Sequence, residues 1–140
     1  MQNSNEKSCS IFELALVFTA SFVVYALTMA NNYSQAPDGI YYINNIDAKW
    51  EIFHPHHLLY TPLAIVIVKI FHLFGYTGDS IIPVSLMSSF FGSLTLCVFY
   101  CIMRKRLNLG IPASLIATAL PAFSFGFWFY SIAIEVYMVP

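Results

Sequence analysis

Four apolar blocks, Ile11–Ala30, Leu58–Gly75, Ile81–Met103 and Ile111–Ile134, constrain this chain more than any other feature. An α-helix rises about 1.5 Å per residue and a bilayer's hydrocarbon layer is about 30 Å thick, so about 20 consecutive apolar residues suffice to cross it. The first, third and fourth blocks reach that length, and they are continuous runs rather than the periodic stripes of a soluble core. Charge points the same way. Only 9% of residues are charged, against about 25% in soluble domains, too few to cover a water-facing surface. The net charge of −1, with no basic stripe, gives no field for nucleic acid, and no nucleic-acid partner is expected. Ile11–Ala30 is too long for a cleaved signal, and only Lys7, beside Glu6, supplies basic charge ahead of it, so it reads as a retained span. Glu13 lies close enough to its end to reach the headgroups.

The polar segment between the first two blocks, 31–57, holds most of the reactive side chains. Its Asn-Asn, Pro-Asp-Gly and second Asn-Asn clusters are turn formers. Topology depends on whether Leu58–Gly75 crosses. The densest basic cluster, Arg104-Lys105-Arg106, belongs in the cytoplasm by the positive-inside rule, and the short N-terminal tail is most easily cytoplasmic too. Both hold only if Leu58–Gly75 lies along, or dips into, the outer interface. Lys69 and His72 interrupt that block and share one helical side with Ile65 and Tyr76, the weak polar edge of an interfacial helix. The expected fold is therefore an all-α membrane protein with three transmembrane helices, about 11–30, 81–103 and 111–134, plus one interfacial or re-entrant helix at about 58–75 in an exoplasmic loop, 31–80. Four spans is the alternative. The chain is expected to be a multi-pass protein of the plasma or inner membrane, in contact with membrane lipid, with its N-terminus inside.

In the three-span arrangement Asp38, Asp47, Glu51, His54, His56, His57 and Glu135 share the exoplasmic face. Asp38, between Pro37 and Gly39, is either an ordinary turn carboxylate or a group able to take a proton from an attacking hydroxyl or to bind a divalent cation beside a phosphate. His54 and His56, two apart around Pro55, are weak as metal ligands and suit phosphate oxygens as hydrogen-bond or charged partners. Glu135 is an ionisable residue in apolar context, a site by default or an interfacial carboxylate beside the aromatic-belt residues Tyr130 and Tyr137. Ser85, Ser89 and Ser93, with Ser88 and Gly92, recur every four residues and form a helix-packing face. Cys9, Cys97 and Cys101 have no metal spacing; Cys97 and Cys101, one turn apart, read as small buried hydrophobes.

The order of Asp38-Gly39-Ile40-Tyr41-Tyr42, His54-Pro55, Leu73-Phe74-Gly75, the small-residue span around Ser88-Ser89-Phe90-Phe91-Gly92, Arg104-Lys105-Arg106 and Ile134-Glu135-Val136-Tyr137 resembles the N-terminal part of the GT-C glycosyltransferases. Within that superfamily it is most similar to the protein O-mannosyltransferase-like and bacterial lipid-sugar transferase branches, over roughly residues 11–140. The resemblance implies transfer of a sugar from a polyprenyl-phosphate donor to an acceptor hydroxyl at the exoplasmic face. It implies Asp38 as catalytic base or metal ligand, with Tyr41, His54, His56 and Glu135 around the substrate. No dedicated metal site is assigned, and a divalent cation is left open as cofactor. The family's usual second acid next to the first is missing, since Gly39 and Ile40 follow Asp38, and His56-His57 stand where proline and glycine are common. Family members have many more spans, so the chain reads as the N-terminal portion of a longer enzyme, inactive alone. The other function classes are a non-catalytic multi-span partner subunit and a transporter subunit; nearly charge-free spans count against transport.

Overall fold

A computed structural model describes residues 9–30, 37–48 and 58–138. Among these residues there is no strand, only six α-helices and a closing 3-10 turn, Val136–Met138. The helices are α1 (Ile11–Leu27), α2 (Pro37–Ala48), α3 (Tyr60–Leu73), α4 (Ile81–Lys105), α5 (Ile111–Ala122) and α6 (Phe125–Ile132). Among the described residues, α4 alone is apolar and long enough to cross a membrane; α5 and α6 meet the same measure only together, and they are bent by 71° at their junction. The first apolar block ends as a helix at Leu27, with Thr28 closing it, and is shorter than a full span.

The structure departs from the expected elements at two points. Pro-Asp-Gly at 37–39 is not a turn but the start of α2, and the second Asn-Asn pair, Asn44-Asn45, lies inside that helix. Proline is well suited to the first helical position, where its missing N–H costs nothing, and Asp38 in the first turn faces the positive end of the helix dipole. Gly39, Tyr42, Ile43 and Ile46 then fall on one face, and all are buried. The fourth apolar block is not one straight helix. Pro121 has no N–H to continue the ladder, and the chain turns at Phe123-Ser124. The Ser124 hydroxyl and amide both donate to the Pro121 carbonyl, at 2.8 and 3.0 Å, so the break leaves that oxygen satisfied.

The core helix, α4, exposes large apolar side chains along one face and buries a row of small ones on another. Phe90, Leu94, Val98 and Ile102, four residues apart, are exposed, whereas Ser85, Ser88, Ser89, Gly92 and Ser93 are buried. The small face receives α6: the Ser89 hydroxyl donates to Ser131 O at 2.9 Å, and a Cβ at Gly92 would lie 2.9 Å from Ser131 Cβ. Beside α6, and in contact with it, α1 packs antiparallel on α4. Glu13 meets Tyr100, Leu14 meets Cys97, and Phe18 meets Phe90 edge-on at 5.4 Å. The N-terminal end of α1 and the C-terminal end of α4 thus share one end of the bundle. α5 starts at that end, and at its far end the Tyr25 hydroxyl donates to Ala122 O at 2.9 Å. The amide of Ala30 donates to Ile132 O at 3.1 Å, joining the exits of α1 and α6.

The opposite end is built from α2 and α3. α3 buries Tyr60, Thr61, Ala64 and Val68, one stripe, and leaves Lys69 and His72 exposed. It stops in a Schellman closure: Gly75, at φ +89°, donates to His72 O at 3.0 Å and Tyr76 to Phe71 O at 3.0 Å. Tyr42, Ile43 and Ile46 of α2, Tyr60, Ala64 and Val68 of α3, Val84 and Met87 of α4, and Ile134 and Val136 form its core.

Candidate functional site

The residues of interest gather where α2 meets the strap that follows α6. Ala133, the C-cap of α6, is extended, and the strap runs through Glu135 into the 3-10 turn. Glycine at 39 lets the first turn of α2 sit directly on this strap: a Cβ there would lie 2.8 Å from Ile134 O and 3.3 Å from Ile134 Cβ. That contact brings Asp38 and Glu135, nearly a hundred residues apart, into each other's field. Asp38 is exposed and Glu135 is 6% exposed. Burial pushes the Glu135 carboxyl above its ordinary value, and the Asp38 charge pushes it further the same way. Tyr42, one turn beyond Asp38 and buried, feels the same pair: burial raises its hydroxyl, followed by the charges of Asp38 and Glu135.

Aromatic rings frame these carboxylates. Tyr41, exposed, meets Tyr42 edge-on at 5.8 Å; Tyr42 meets Tyr60 at 4.9 Å; and Tyr130 meets Tyr137 at 4.7 Å. Among the described residues no cationic side chain pairs with either carboxylate, the ion pair being at the other end of the molecule. A neighbouring charge of the same sign disfavours ionisation of the more buried acid, here Glu135. Among the described residues no group of three or more His, Cys, Asp or Glu is arranged to hold a metal. Beside this end, an apolar groove of about 240 Å³ runs between α1, α3 and α4, lined by Phe22, Leu63, Ile67, Phe71, Met87 and Phe90 among others.

Of the residues singled out from the sequence, Asp38, Tyr41 and Glu135 come together here. His54 and His56, with Glu51 and His57, lie outside the described residues. Asp47 is engaged elsewhere, accepting from the Ser80 hydroxyl at the start of α4. Two features were not foreseen. Gly39 is the residue that permits the approach, and its signal was present as a glycine where a helix, not a turn, begins. Glu13 turns toward α4, accepting from Tyr100 Oη at 2.8 Å and from Arg104 Nε at 3.1 Å. Arg104 also donates to Leu109 O at 2.8 Å, fixing the turn in which Asn108 is left-handed at φ 52°.

Comparison with protein-family models, with curated proteins and with solved structures returns no match.

Proposed function

We propose that this chain is the N-terminal, membrane-embedded part of a glycosyltransferase that takes a sugar from a polyprenyl-phosphate donor and passes it to an acceptor hydroxyl. In this reading α1, α4 and the bent α5–α6 pair cross the bilayer, while α2 and α3 lie at the exoplasmic interface. The antiparallel pairing of α1 with α4 supports that topology, because it brings the N-terminal end and Arg104-Lys105-Arg106 to one side. The exposed apolar face of α4 over a buried serine face suits an apolar surrounding.

The observation that carries the chemical reading is the approach of Asp38 to Glu135 beside tyrosine rings, at the end remote from the basic cluster. Asp38, exposed, acts as the base that accepts the acceptor's hydroxyl proton, alone or through a bound cation. Glu135, withdrawn from water beside the Asp38 charge, accepts a hydrogen bond from a sugar hydroxyl, and Tyr41 offers its ring to the sugar. The apolar groove along α3 suits an isoprenoid chain.

The test is transfer from a defined polyprenyl-phosphate sugar in membranes carrying the full-length enzyme of which this chain would be the N-terminal part. Loss of a general base costs about 10²–10⁴-fold in rate, so Asp38→Asn is expected to lose activity on that scale with abundance unchanged. Asp47→Asn, whose partner is Ser80, should change it little. A near-normal rate in Asp38→Asn overturns the assignment.

A further inference from the structure

The end of the bundle that holds Glu13 and Arg104 also brings two cysteines together. Cys9 lies two residues ahead of α1, and Cys101 lies one turn from the end of α4. They are 92 residues apart in sequence, yet the Cys101 thiol donates to Cys9 Sγ at 3.0 Å. Both are free thiols of intermediate burial. Sulfurs in a disulfide are about 2.05 Å apart, so closing this pair asks for a shift of about 1 Å.

The neighbours fix this encounter. Ser10, next to Cys9, caps α1 by accepting from the Glu13 amide at 3.1 Å, and Glu13 is tied in turn to Tyr100 and Arg104, the residues on either side of Cys101 along α4. The start of α1 is therefore set in register with the last turns of α4, and the two thiols meet as part of that register. The third cysteine is differently placed. Cys97 is buried, and its thiol points to the Leu14 carbonyl at 3.6 Å.

We infer that Cys9 and Cys101 are a redox-modification site, a dithiol that closes into a disulfide stapling α1 to α4. The oxidant is a diffusible diazene or low-molecular-weight disulfide. Both S–H bonds break, one S–S bond forms, and the two electrons and two protons pass to the oxidant, reducing a diazene to a hydrazine or a small disulfide to two thiols. Cys97 stays a thiol. In a reducing compartment the pair remains open and closes on oxidation; in an oxidising one it is closed from the start. The staple lies at the end of the molecule away from Asp38 and Glu135, and the inference is independent of what those residues do.

The experiment uses the whole chain in membranes, as the Cys97→Ala variant, treated with diamide or left reduced. Each sample is then unfolded in SDS and tagged with a polyethylene-glycol maleimide. Reduced protein should take two tags and oxidised protein none, remaining monomeric, with both tags regained after dithiothreitol. Moving one thiol to the outer face of α4, as Cys101→Ala with Ile102→Cys, should leave two tags after the same exposure, since Ile102 is turned away and exposed. The inference fails if the folded Cys97→Ala protein keeps both tags under diamide that closes the SDS-unfolded protein. It fails equally if the Ile102→Cys variant closes as fast.

Discussion

At one end of the bundle a carboxylate, Glu13, is met by a guanidinium and a phenol; at the other, Glu135 is met by a second carboxylate. Glu135 is buried and Glu13 half-buried, and both have apolar neighbours in sequence, so their local contexts look alike. Their surroundings differ. The Glu13 cluster neutralises its charge and satisfies its hydrogen bonds, which is how a buried charge is made tolerable. The Glu135 cluster raises the free energy of the charged form and gives no cation in return among the described residues. Polarity at the first end holds α1 against α4, and polarity at the second is held in place by the fold at a cost. Perturbed carboxylates in that situation are where function concentrates.

The sharpest way to break this contrast is to remove one acid at each end. Glu13→Gln takes the charge from a carboxylate that accepts from both Tyr100 and Arg104 and should cost about 2–3 kcal/mol, the scale for hydrogen bonds to a charged group. Glu135→Gln removes a repulsion and should raise stability at neutral pH. Thermal unfolding of the detergent-purified protein reads both, and a destabilised Glu135→Gln would erase the distinction.

The two close glycine contacts allow a finer cut. Gly92→Ala drives a Cβ against Ser131 at the centre of the bundle and should cost about 1–3 kcal/mol as an overpacking change. Gly39→Ala meets the Ile134 carbonyl, backbone that moves only with the strap. It should cost about 1 kcal/mol and act mainly on the acid end, reducing activity and bringing the Glu135 carboxyl back toward its ordinary range. Carboxyl titration followed by infrared spectroscopy reads that shift. An unmoved Glu135 in Gly39→Ala would mean that this contact does not set the field.

The smallest expected effect is in pH. The folded-state value of Glu135 is raised above its unfolded one, so the protein binds that proton more tightly when folded. The contribution is fully present below the ordinary carboxylate range and is lost as pH rises through the raised value. Glu135→Gln should flatten the stability curve in that interval alone. A wild-type curve already flat there contradicts the burial of this group.

Much of this architecture could be read from residue types. The helical class, the start and end of α3, the polar edge at Lys69 and His72, and the serine face of α4 all follow from local pattern, because periodicity and small-residue spacing report which side of a helix packs. The meeting of Asp38 with Glu135 was foreseen only as a shared face. Their approach depends on Gly39 fitting against Ile134, a long-range contact that no local rule encodes. The partners of Glu13 were hidden for the same reason: Arg104, which holds it against α4, is 91 residues away. The Pro-Asp-Gly start of α2 went the other way, since proline and aspartate favour turns and first helical turns alike and the following apolar period decides between them.

The break at Phe123-Ser124 bears on how such a chain is assembled. At about 1.5 Å per residue the twelve residues of α5 reach about 18 Å and the eight of α6 about 12 Å, each well short of the hydrocarbon layer. In a membrane setting neither piece partitions by itself, and the carbonyl of Ala122 exposed by the break needs a donor, which Tyr25 of α1 supplies. Ser131 likewise needs the serine face of α4. On the proposed topology, α5–α6 is expected to seat only after α1 and α4 have formed their antiparallel pair. A defect in the Tyr25 hydroxyl would then be felt first as a failure of maturation, well before any loss in the finished protein's chemistry.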